Sequence, residues 1–389
     1  MVLCMDLQQA LPTPRVTTGM AFYLRKLMTY NFDIHNYKTG QGFMSVWDEV
    51  TANRGAAEII SCIKHFIDEH VPEHVKKLYI FSDNCSGQNK NIFLNMFYLS
   101  LIHSGRFKEI THVYFRPGHT YMAADRDFSL IEKKMNNRAW IFTPDEHIDV
   151  IKATRRPGCK GIPFTVYKMK QEDFLEYDQK EYQKELITNR KIRGCRFVDA
   201  CYFRFTDKYK IGYEVSSNYA TLLDPSMSGI KVRINKGKET PLNTLRFKLH
   251  QNIPRKYNSP IPLSQEKLKD IRKLVEALVP TYIRQRYWDA IIGPTNANSD
   301  NEGDVDEQAV DEALCEMLDN EQPVDAVLDE QPGNNTLVDE VLDEQSGDED
   351  WDEPSSAEDS DVHSDDEAMN EQVSVPMDYF SPKNFYDYS

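Results

Sequence analysis

The apolar positions Val2 to Met5 run without a break and stop at Asp6. A run this short, followed by Pro12 and Pro14, predicts a buried strand over residues 2–7. Aromatic and β-branched residues then dominate 23–37 and 43–50, around the turn-forming Lys38-Thr-Gly-Gln-Gly42, and predict a hairpin. The period changes over 54–70, where Ile59, Ile60, Ile63, Phe66 and Ile67 share one helical face until Pro72. Residues 78–81 read as a second buried strand ending at Ser82-Asp83-Asn84. A helix over 89–103, a strand over 110–115 and a helix over 122–135 follow. The last carries Ala124, Phe128, Ile131 and Met135 on one stripe.

This order (strand, hairpin, helix, strand, helix, strand, helix) is that of an RNase H-like α/β fold: a mixed sheet flanked by helices, over residues 1–150. A dinucleotide-binding fold would need a helix directly after strand one and a glycine-rich turn, and neither is visible. From 144 to about 193 the chain is charged and reads as mostly helical, with Phe174, Leu175 and Tyr182 within 171–187. Strands are expected at 197–205, 210–215, 230–234 and 244–249. A proline-rich joint then leads to a helix over 264–278, with Ser264 as its N-cap and Leu268, Ile271, Leu274 and Leu278 as its apolar face. Residues 151–293 are therefore expected to form a helical linker and a smaller α+β module.

Composition changes after Gly293-Pro294. Residues 299–389 hold 31 of the 62 acidic residues and one of the 46 basic ones, Lys383, leaving the body near +14 and this tail near −30. Residues 294–389 are expected to be a disordered acidic tail. It repeats a short Leu-Asp pattern at Leu318, Leu328 and Leu342, and it places Ser356, Ser360 and Ser364 among acids, where phosphorylation would add charge. A basic body suits a nucleic-acid partner, with DNA favoured, and the tail suits protein partners. Seven scattered cysteines with no C-x-x-C argue against a zinc ribbon and for a reducing compartment. No secretory signal and no stretch of roughly 18 apolar residues is present, so the expected location is nuclear or cytoplasmic, not secreted, with no membrane partner.

Candidate chemistry lies at strand ends. Asp6 and Asp83 each close a buried strand, and if those strands are neighbours both carboxylates reach one point. They then repel unless a cation sits between them, and an all-oxygen site suits Mg²⁺ or Mn²⁺. A third acid is expected from the helix after Thr120: Asp125 is preferred because it is nearest the strand edge, with Asp127 and Glu132 as alternates. His119 would bind metal, orient a ligand, contact phosphate or stabilise its loop. Asn84, Gln88, Lys90 and Arg116 are the expected phosphate contacts. A strand-end acid bonded to backbone amides would equally explain Asp6, and an Asx turn Asp83.

The segment Asp83-Asn-Cys-Ser-Gly-Gln-Asn-Lys-Asn91, with Pro117-Gly-His-Thr120 and Asp125, resembles an uncharacterised eukaryotic, transposon-associated domain family. The likeness extends to Met5-Asp6-Leu7 and to the Pro-Ile-Pro-Leu stretch at Pro260. That family's similarity to DDE transposases and integrases implies metal-dependent cleavage or transfer of nucleic-acid strands, with Asp6, Asp83 and Asp125 as ligands. The alternative is a domesticated, catalytically inactive scaffold that binds nucleic acid or chromatin partners.

Overall fold

The computed structural model describes residues 1–116, 121–155, 161–178, 195–209, 212–224, 226–233 and 253–293. The expected strand at 244–249 and the acidic tail lie outside these residues. Strand β1 (Val2–Leu7) sits in the middle of a mixed sheet. Short β2 (Leu11–Thr13) pairs with β4 (Leu27–Asn36), while β3 (Arg15–Val16) pairs apart from the main sheet with β8 (Trp140–Ile141). The other strands are β5 (Gln41–Asp48), β6 (Lys77–Ser82), β7 (Glu109–Tyr114), β9 (Thr165–Lys168), β10 (Tyr202–Thr206), β11 (Gly212–Ser216) and β12 (Ile230–Arg233). Their order is β12-β11-β10-β7-β6-β1-β4-β5-β9. β6 runs parallel to β1, and β7 to β6; β4 and β5 form the antiparallel hairpin.

Helices cover both faces. Alternation along β1 sends Leu3 and Met5 to one core, shared with α2 (Ala56–His70) and α3 (Ile92–His103). Val2 and Cys4 go to the other core, with Ala124, Phe128 and Ile131 of α4 (Ala123–Asn136) and Ile148 and Ile151 of α5 (Pro144–Thr154). Every residue of α3 from Leu94 to Ile102 is buried, which accounts for a sequence apolar all round rather than on one stripe. One side of α3 meets α2, and the other meets β7 and β10.

Three expectations change. The expected strand 23–37 forms but starts at Leu27, because Tyr23 closes a helical turn, α1 (Gly19–Tyr23), capped by the Thr18 hydroxyl, which accepts from Ala21 N at 3.3 Å. The described part of the expected helix 171–187 is a 3-10 turn, Gln171–Asp173, followed by extended chain; residues 179–194 lie outside the described set. There the backbone bonds outward: Leu175 N donates to Ser61 Oγ at 3.0 Å and Glu176 N to Pro254 O at 2.9 Å, while Phe174 and Tyr177 enter the core. Described strands of the expected α+β module join the central sheet. β9 pairs with β5, and β10 pairs with β7, so β9 to β12 widen the central sheet at both edges.

The carboxyl-terminal helix Gln265–Leu278 starts at Ser264, whose hydroxyl accepts from Lys267 N at 3.3 Å, as its sequence predicts. It packs Ile271 and Val275 against Leu27, Phe142 and the fully buried Trp288, whose indole N–H donates to Phe142 O at 3.1 Å. The joint before it is fastened by buried Glu58, which accepts from Gly55 N and Lys256 Nζ, each at 2.9 Å, and from the Tyr257 hydroxyl.

Candidate functional site

The central strands bring carboxylates into a row. In the β1–β4 ladder Asp6 stands opposite Asp33, and opposed residues of an antiparallel pair share a face. In the parallel β1–β6 ladder Cys4 pairs with Phe81. Continuing that register by two residues sets Asp6 beside Asp83, the first residue after β6. Asp83, Asp6 and Asp33 thus cross three neighbouring strands on the face that α4 covers, and α4 brings Asp125 and Asp127 to it.

Asp6 is the electrostatic centre of this row. Its carboxyl is pushed up to about 7, first by burial and then by the negative charge of Asp83, with Asp125 adding to it. A backbone bond from Leu7 N at 2.8 Å opposes the rise only in part. Asp6, Asp83 and Asp125 therefore share one neighbourhood, each from a different element.

Asp83 is held by its own loop. Its Oδ1 accepts from Asn89 Nδ2 at 2.6 Å and Cys85 N at 3.2 Å, an Asx turn. Cys85 O accepts from the amides of Gln88, Asn89 and Lys90, and Asn91 caps α3 by accepting from Leu94 N at 3.0 Å. On the far side of the loop, Ser82 Oγ pairs with Asp83 O and with His112 Nε2, both at 2.9 Å, and His112 Nδ1 pairs with the Tyr114 hydroxyl at 3.0 Å. That hydroxyl also reaches Asn89 O at 3.2 Å. Burial, with Lys90 nearby, drives His112 down to about 3, so it stays neutral in this chain of bonds. Asp125 Oδ2 accepts from Met122 N at 2.6 Å and closes the first turn of α4.

The expected phosphate contacts divide. Lys90 is turned inward: it is buried, and its Nζ donates to Val198 O and Ala200 O, each at 2.6 Å. Burial lowers it to about 8. It ties the loop to the chain before β10 and, unlike the surface contact expected of it, is buried there. Arg116 is exposed, with its guanidinium 5.7 Å from the Tyr219 ring centre. Asn84 and Gln88 are half-buried at the loop surface. His119 lies outside the described residues, as do Pro117, Gly118 and Thr120. Of the alternates for the third acid, Glu132 is exposed, and Asp127 is fully buried and turned away to His35 and Arg155.

That second cluster was not anticipated from sequence. Asp33, His35 and Asp127 are all buried, and one ligand-type atom from each lies within 4.8 Å of the others. The available signal is the alternation Phe32-Asp33-Ile34-His35, which reads equally as a strand with one wet face.

Among the described residues, no helix is long and apolar enough to cross a membrane. No curated protein and no solved structure matches the chain. Residues 36–193, which include Asp83, Asp125 and Asp127 but not Asp6, match a protein family described as a domain of unknown function (DUF7869).

Proposed function

We propose that the acid edge is a divalent-metal site for phosphodiester cleavage or strand transfer on nucleic acid, DNA in the first instance, in a nuclear protein of transposase descent. The observation that carries this reading is the Asp6 carboxyl, pushed up to about 7 by burial and by Asp83 and Asp125. Three acids from a central strand, its parallel neighbour and a covering helix repel one another until a cation or a proton intervenes. Support comes also from the run β5-β4-β1-β6-β7, with β4 antiparallel and β6 parallel to β1, which is the strand order of RNase H-like folds.

Asp6, Asp83 and Asp125 would hold Mg²⁺ or Mn²⁺, since an all-oxygen donor set fits those ions. Bound there, such ions supply an activated water and stabilise the leaving oxygen. The chain's own contribution is placement. The loop bonds to Asp83 Oδ1 fix that carboxylate. Asn84, Gln88 and exposed Arg116 then flank the edge as contacts for the sugar-phosphate backbone.

A second reading, an inactive scaffold for nucleic acid or chromatin proteins, is favoured by one observation. Asp6, Asp83 and Asp125 each already accept backbone or side-chain bonds from the protein itself. Incubating labelled DNA and RNA with Mg²⁺ or Mn²⁺ separates the two. Cleavage by the parent, absent in Asp83→Ala, supports the enzyme. Binding without cleavage, equal in parent and variant, supports the scaffold.

A further inference from the structure

We infer that Asp33, His35 and Asp127 form a second, buried metal site for a transition-metal dication of the zinc type, fastening helix α4 to strand β4. The site is separate from the acid edge and does not depend on the function proposed for it.

The donor atoms already converge. Donor atoms of a tetrahedral zinc at about 2.0–2.2 Å stand roughly 3.3–3.6 Å apart, so a pair at the 4.8 Å limit must close by roughly 1 Å and the hydrogen-bonded His35–Asp127 pair must open as the ion displaces its proton. His35 Nδ1 and Asp127 Oδ2 lie 2.6 Å apart. One nitrogen with two carboxylates is a mixed donor set that suits zinc or manganese better than magnesium.

Asp33 is the second, independent observation. It has no exposed surface, neither carboxylate oxygen makes a well-formed hydrogen bond among the described residues, and its polar neighbours are the Asp127 carboxyl and the Phe43 backbone amide. A buried carboxyl in that position needs a proton or a cation. With His35 neutral, two carboxylates and the guanidinium of Arg155 sum to −1, a charge that one proton would cancel and a bound dication would turn to +1.

The surroundings orient these donors. Arg155 binds Asp127 through Oδ1 and also donates to Gly40 O at 3.2 Å, which leaves Asp127 Oδ2 facing His35. Fixing a carboxylate ligand by an outer partner is common to protein metal sites. Across the β4–β5 ladder His35 opposes Gly42. A Cβ on Gly42 would lie 2.9 Å from Asp127 Oδ2 and 3.1 Å from Asp33 Oδ1, so any other residue would fill the space between the acids. The competing arrangement is a proton held between Asp33 and Asp127. Asp33→Asn distinguishes them, because asparagine copies the shape of the protonated acid but is a poor ligand.

The test uses the full chain, loaded with Zn²⁺ and dialysed into metal-free buffer, with metal content by atomic emission and melting curves with and without a strong chelator. The expected result is about one retained ion per chain and a melt lowered by chelator. Both effects are lost in Asp33→Asn and kept in Asp83→Asn. The proposal is overturned if the parent retains no ion and ignores chelator, or if Asp33→Asn keeps the metal of the parent. Loss in Asp83→Asn with retention in Asp33→Asn also overturns it, and places the ion at the acid edge instead.

Discussion

Asp6 and Asp33 face each other across the β1–β4 ladder, yet the first is partly wet at the end of its strand and the second is sealed beneath α4. One backbone register thus supplies an accessible acid and an inaccessible one. The two carboxyls answer to different partners: Asp6 to Asp83 and Asp125, Asp33 to Asp127.

The raised Asp6 carboxyl makes stability depend on pH. Its folded value, about 7, lies above the ordinary 3.8, so the folded state holds the proton more tightly than the unfolded chain. Stability is therefore lost as pH rises from about 4 through 7, by roughly 2–4 kcal/mol after screening at the strand end. In chelator, Asp6→Asn should match the parent below that window and exceed it above. Denaturant melts across the range check this, and a constant difference between the two proteins rejects it.

Lys90 and Arg116 should separate stability from binding. Lys90→Met leaves the carbonyls of Val198 and Ala200 unpaired and should cost roughly 1–3 kcal/mol for each orphaned group. Arg116→Ala, at an exposed position, should leave the melt nearly unchanged while weakening DNA binding and its salt dependence. Chemical denaturation beside a filter-binding titration reads both.

Trp288 measures how firmly the carboxyl-terminal helices belong to the fold. It is fully buried against Leu27, Phe142, Ile271 and Val275. Trp288→Ala should cost about 3–5 kcal/mol in a single transition with the rest of the protein. An early, separate transition in the variant would show that the segment melts by itself.

The acidic tail should compete with nucleic acid. A stretch near −30 tethered to a body near +14 is present at high effective concentration for the same Lys and Arg side chains. Removing residues after Thr295 should tighten DNA binding at low salt, with a gain that shrinks as salt rises. Superimposed binding curves at low salt would assign the tail to solubility alone.

Local patterns were legible in the sequence where the physics is local. Residues 2–7 read as the strand that forms, Ser264 as the cap it is, and the apolar stripe of Ala124, Phe128 and Ile131 as the buried face of α4. Asp6 and Asp83 could be placed together because both stand at ends of buried strands. Lys90 could not be placed, because what buries it is a pair of carbonyls 108 and 110 residues away. The pairing of β10 with β7 is equally silent, since neither strand's alternation names its partner. Asp33 and His35 look like a solvated strand face until α4 is laid over them.

The widened sheet has a consequence during synthesis. β5 and β7 are complete by Tyr114, but the strands that cover their outer edges arrive only with Thr165 and Tyr202. At roughly 5–20 residues per second, a ribosome leaves the β7 edge bare for roughly 4–18 s. Until Lys168 is made the nascent chain carries two open rows of amides and carbonyls beside apolar strands, and from then to Tyr202 one, the surface that invites strand exchange between neighbouring chains on a polysome. Yield in cells should then follow translation rate and holdase supply more closely than it follows the stability of the finished protein.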